Sequence, residues 1–209
     1  NHLAGVYWQQ GDSAAAVHGL HQAIALHRLG GNEEGEAASL VNLGTLCGQL
    51  GHYDRAYDYL QLGLEKIQAM TNGGLDSITM ASIGIVHRKL GRYDDAERCL
   101  LVALDLARAQ GDQMAESDAL DSLGSLFLEL KRLPQAEEHH QAALGIAEAI
   151  SHRAGIAQGL DNLGLVRQRQ RDRHLAEQRR DPEPGLEHHQ DRQGDGGGRG
   201  AARGHERID

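Results

Sequence analysis

Histidine is the first residue type in this sequence that invites chemistry, with thirteen among 209 residues. His18 and His21 stand three apart, and His139-His140 and His188-His189 are adjacent pairs. Zinc needs about four donors converging at about 2.0–2.3 Å. No cysteine or second histidine pair falls at a matching spacing, and Cys47 and Cys99 lie 52 residues apart. No metal site is expected, and the two thiols read as reduced and half-buried. The run GDGGGRG lacks both the Lys-Ser/Thr and the preceding strand of a phosphate loop. Ser, His and Asp are plentiful, but nothing orients them as a triad. The expectation is a chain that is not an enzyme and needs no cofactor.

What the sequence does repeat is structural. LGHYDRAYDYL at 50–60 returns as LGRYDDAERCL at 90–100. The apolar-small pairs Leu3-Ala4, Leu43-Gly44, Ile83-Gly84, Leu123-Gly124 and Leu163-Gly164 follow one another at 40-residue intervals, as do Ala16, Ala56, Ala96, Ala136 and Ala176. Leu20, Leu60 and Leu100 fall four after those alanines, with His140 in the fourth slot, and Ala23, Gly63, Ala103 and Ala143 come three further on. Spacings of four and three share one helix face. A fixed period of this length marks a stacked array.

The turns fit that frame. Gly11-Asp12-Ser13, Gly51-His52, Gly91-Arg92 and Lys131-Arg132 fall within units, and Gly30-Gly31-Asn32, Asn72-Gly73-Gly74 and Gly111-Asp112 fall between them. Asp54, Asp94 and Asp95 suit a helix's first turn, where free N–H groups favour negative charge. Pro134 suits the same place because it lacks an N–H. Each unit therefore reads as a helix–turn–helix, its first helix termed A and its second B.

Composition agrees. Apolar residues make up 40% and aromatics 3%, so the core rests on Leu, Ala, Ile and Val, which favours closely packed helices. No apolar run reaches the roughly 18 residues of a membrane span. Residues 167–209 hold ten Arg against nine acids, leaving a balance of −10 in residues 1–166. A body so acidic repels phosphate backbones, so nucleic-acid binding by this region is not expected.

The series resembles the tetratricopeptide repeats, in which helix A carries an apolar-Gly pair, an aromatic follows the turn, and helix B carries Ala and a second small residue seven on. Leu43-Gly44, Tyr53, Ala56 and Gly63 match it, as do Ile83-Gly84, Tyr93, Ala96 and Ala103. The 40-residue period is similar to the long-helix variant of kinesin light chains and of bacterial regulators. Two features depart from the pattern: the family's early helix-A Trp is missing, since Trp8 falls at a helix end, and no Pro follows helix B. The resemblance implies an all-α fold, a right-handed α-α solenoid of helix–turn–helix repeats. The expected units are residues 1–36 (helix A truncated), 37–76, 77–116, 117–156 and an incomplete 157–177. Asn1 enters the first unit partway through helix A, so the sequence reads as a fragment of a longer chain. Residues 178–209, nearly free of large aliphatic side chains, read as a disordered or frame-shifted tail.

The resemblance also implies a function: protein–protein interaction in the concave groove lined by successive A helices. The residues before the apolar-Gly pairs are Asn42, Ser82, Ser122 and Asn162. In the long variants an Asn there bonds a peptide backbone, donating and accepting at once. The other expected groove residues are Thr45 and Gln49, then Arg88 and Lys89, then Asp118, Asp121 and Glu129, then Asp161. A basic centre flanked by acids suits a peptide or amphipathic helix of mixed charge. The expected partner is a protein or peptide segment, from the same chain or another, in a cytoplasmic regulatory protein. Self-association through the uncovered fifth unit is a further expectation, and an appendage of an enzyme whose catalytic domain lies elsewhere is the alternative.

Overall fold

The computed structural model describes residues 12–71 and 74–180, and within them eight α-helices and no strand. The helices are α1 Ser13–Leu29, α2 Glu33–Gln49, α3 Tyr53–Met70, α4 Ser77–Lys89, α5 Tyr93–Gln110, α6 Gln113–Glu129, α7 Leu133–Ala149 and α8 Arg153–Arg180. The pairs α2–α3, α4–α5 and α6–α7 are the helix–turn–helix units. The expected helix A of the first unit, with Leu3-Ala4 and Trp8, lies outside the described residues, as do Asn72-Gly73 and the tail from residue 181.

Each hairpin closes through a small residue. A Cβ added to Gly44 would lie 2.7 Å from Leu60 Cγ and 3.0 Å from the Ala56 carbonyl. At Gly84 the same construction meets Leu100 Cγ at 2.7 Å. Leu43, Leu60, Leu100 and Leu123, with Ala56, Ala96 and Ala136, are fully buried. Each buried Leu contributes about 1.5–3 kcal/mol.

The joints repeat every twenty residues. Gly31, Gly51, Gly91, Gly111, Lys131 and Ser151 all take positive φ, between 56° and 81°. The N–H of the next residue then bonds a carbonyl five back, as in His52 to Cys47 and Arg92 to His87, both 2.9 Å. At the joints between units that residue also caps the following helix, Asn32 accepting from the Gly35 N–H at 2.8 Å and Asp112 from Ala115 at 3.0 Å, whereas His52, Arg92 and Arg132 within units make no side-chain cap. The capped links satisfy orphan groups of both helices at once.

One joint departs. Thr71 closes α3 at φ −106°, and α4 starts at Ser77, capped by Asp76, with 13 residues where α2 and α6 have 17. Glycine is a poor helix former, and Gly74 stands where Glu34 lies in the first turn of α2.

The fifth unit also differs from its sequence reading. Ala176, which holds the helix-B slot of the repeat, continues α8 without a turn, as do Gln178 to Arg180 of the expected tail. No glycine stands near Arg171, where Gly51 and Gly91 turn the chain. By packing the chain divides between Asp172 and Arg173, and the described part of the second unit is the end of α8. There Arg173 Nε pairs with Glu177 at 2.8 Å.

Candidate interaction face

The A helices α2, α4, α6 and α8 carry all twelve expected groove residues. Several of them meet across one period. Thr45 and Ser82 hydroxyls lie 3.3 Å apart, Arg88 pairs with Glu129, and Asn162 Nδ2 donates to Asp121 Oδ1 at 2.7 Å. Residues about forty apart in sequence thus become neighbours on one face.

Two cavities open along the α2–α4 seam. The first, of about 390 Å³, is lined by Thr45, Gln49, Ser82 and Lys89 with Tyr53 and Ile85. The second, of about 480 Å³, has Asn42 beside Val41, Ile67, Met70, Leu75 and Ile78. It opens where α4 lacks its first turn. Asn42 is exposed and makes no side-chain hydrogen bond among the described residues, leaving its amide able to donate and accept. This apolar cavity was not legible in the sequence, although the Gly-Gly pair marked its place.

Charge is arranged differently from the sequence reading. Arg88 is not an open cation: its side chain is 12% exposed and turned onto Glu129. Lys89, exposed and without an ion pair among the described residues, is the cation that faces outward. Asp121 is also committed. Its carboxylate takes His140 Nδ1 at 2.8 Å and the Gln158 and Asn162 amides at 2.7 Å each. Burial raises the Asp121 pKa, but these hydrogen bonds outweigh it and hold the group below its ordinary value. Asp118 goes the other way although its side chain reaches solvent: partial desolvation by the surrounding helices raises it against an opposing His152, with Asp121 and Asp112 adding to the rise. Asp118 and Asp161 are exposed and Ser122 half-buried, and none makes a side-chain hydrogen bond among the described residues. Sequence reasoning missed Gln158 and His140. His140 carried a signal, because it breaks the Leu series in its slot.

His18 and His21 line a third cavity, of about 380 Å³, with Cys47, His52 and Tyr59. No three His, Cys, Asp or Glu side chains are placed to hold a metal among the described residues. Both cysteines are free; Cys47 is buried, Cys99 is half-buried, and burial raises both thiol pKa values. No described helix is long and apolar enough to cross a membrane.

A family model described as "Tetratricopeptide repeat" matches residues 1–68 and 75–149. No curated protein matches the chain. Among solved structures, BtubC (BKLC) from P. vanneervenii is similar at TM-score 0.66 and 17% identity, over 99% of this chain and 85% of that one. The apo form of RapI is similar at TM-score 0.62 and 15% identity, over 83% of this chain. This chain spans 48% of the RapI chain. At these identities the likeness is one of fold.

Proposed function

The chain belongs to the tetratricopeptide repeat family, whose repeats mediate protein–protein interaction, and on that premise we propose that it is a non-catalytic module binding an extended peptide along the α2–α4 seam. One observation carries the reading. Asn42, an unsatisfied and exposed amide, stands at the rim of an apolar cavity on the face shared by successive A helices. The amide bonds the peptide backbone, as both donor and acceptor. An apolar side chain of the peptide fills the cavity beside Val41 and Leu75, and a carboxylate of the peptide reaches Lys89 at the neighbouring cavity. The recognised segment therefore carries a large apolar residue followed or preceded by an acid. Asn162 and Asp121 contribute by fixing α6 against α8, since their polar groups are turned on each other.

Peptides selected from a random library on the intact chain test this. Asn42→Ala is expected to weaken the selected peptides by about tenfold, the loss of one or two buried hydrogen bonds, and Lys89→Glu to shift selection away from acids. Selected peptides bound equally well by both folded variants would end the proposal.

A further inference from the structure

One stripe of helix A is covered in all three hairpins and bare in α8. Leu40, Met80 and Leu120 are 4, 9 and 4% exposed, while Leu160 in the same slot is 57% exposed. Gly44, Gly84 and Gly124 are buried and Gly164 is exposed; Cys47, His87 and Phe127 are buried and Arg167 is exposed. An added Cβ meets Leu60, Leu100 or His140 at 2.7 Å in the three hairpins, but at Gly164 nothing lies within 4 Å. Leu160, Gly164 and Arg167, spaced four and three apart, share one face. They lie apart from the groove residues, which follow a different line on the same helices.

The chain itself shows what covers such a stripe. Helices α3, α5 and α7 each present Ala56, Ala96 or Ala136, then Leu or His four later, then a small residue three beyond. The small residue lets the backbones approach, and the larger one rests on the glycine. Residues 173–209 hold no further copy of that pattern. Ala176 is followed four later by Arg180, and Leu186, the single Leu of residues 181–209, has Pro182 four before it. Charge narrows the occupant. Arg167 and Arg171, both exposed, lie at the end of the stripe where a covering antiparallel helix would begin, and α3 and α5 begin with Asp54 and with Asp94-Asp95.

We propose that this stripe of α8 is a docking site for a partner protein's amphipathic helix with small-x-x-x-Leu-x-x-small spacing and an acidic first turn. That helix completes the fifth hairpin, lying on α8 as α5 lies on α4.

The probe is a labelled peptide of the α5 sequence, Tyr93–Gln110 with Cys99→Ser, titrated with the full chain. Saturable binding is expected, weakened about tenfold or more by Gly164→Leu, which fills the slot, and by Leu100→Asp in the peptide. Gly164→Leu places its side chain in open space and replaces a helix-interior glycine, so its helicity and thermal midpoint should match or exceed the parent's. Asn42→Ala should leave this binding unchanged, which separates it from groove recognition. Absence of saturable binding would overturn the proposal. So would binding that Gly164→Leu leaves intact, the result expected if the peptide exchanges with α5 in its own hairpin. Self-association of the chain abolished by Gly164→Leu would assign the stripe to a second copy and likewise overturn it.

Discussion

His140 occupies the slot that Leu20, Leu60 and Leu100 fill elsewhere, and its partner Asp121 occupies the slot of Val41 and Ala81. The two departures from the repeat occur together and bond to each other at 2.8 Å. His140 is fully buried, and its Nε2 has no hydrogen-bond partner among the described residues. Removing Asp121 strands the buried His140 ring, and removing His140 takes one of three donors from Asp121, so the double variant loses less than the two single losses together. His140→Leu and Asp121→Ala are each expected to destabilise the chain by about 1–3 kcal/mol, and the double variant by less than their sum. Denaturant titration of the four proteins measures the coupling, and strict additivity would contradict it. At the joints, Lys131 and Ser151 hold the left-handed conformation that glycine holds at the others. An L side chain there costs about 1–2 kcal/mol, partly offset by glycine's freedom in the unfolded chain. Lys131→Gly should therefore raise the thermal midpoint by about 2 °C, while Gly91→Ala should lower it.

Helices in this chain are held by close approach and by a few charged ties. Gly84 packs beneath Leu100, with the Ala96 carbonyl 3.3 Å from an added Cβ. Gly84→Ala forces α4 and α5 apart and should cost about 1–3 kcal/mol, although alanine is the better helix former; an unchanged denaturation midpoint would refute this. Glu36, buried near the start of α2, receives Arg28 at 2.7 Å and Lys66 at 2.9 Å. Those bonds, Lys66 first, hold its pKa below 4.5. A depressed carboxylate stabilises the fold fully above its unfolded value and loses that contribution as pH falls through the folded one. Glu36→Gln should therefore destabilise the chain at neutral pH by about 1–2 kcal/mol, and the gap from the parent should shrink as pH drops below 4.5. Arg108 and Glu116 form the equivalent tie between α5 and α6, at 2.8 Å. The joint between α3 and α4 has Gln68 and Asp76 in those places.

Across the whole molecule that joint matters most. Stability in a repeat array is a sum over neighbours, and α3 and α4 share the thinnest seam among the consecutive pairs from α1 to α7. The buried residues fall into two clusters that divide within α4: Ile83 and Val86 join the one that begins at Ala16, and Met80 joins the one that ends at Val166. Amides of α4 should exchange with solvent faster than those of α6, which has the full first turn and the charged tie. Equal protection of α4 and α6 in a native-state exchange experiment would contradict this. The same opening produces the apolar cavity beside Asn42, so the least supported joint and the proposed binding site coincide.

The period, the helical pairing and the small residues at each crossing were all legible in the sequence, because each is a local demand repeated four or five times. A glycine under a leucine and a turn every twenty residues announce themselves by recurrence. That the twelve expected residues all fall on A helices was legible too, since it follows from their place in the repeat. What those residues do was not. That Arg88 turns onto Glu129, that Asp121 is claimed by three donors, and that Asn42 is left open all depend on neighbours some forty residues away. Tertiary structure alone also decided that the late start of α4 opens a cavity beside Asn42, and that α8 runs on instead of folding back. Local pattern fixes which face of a helix is apolar; whether anything covers that face depends on which other segments reach it in space.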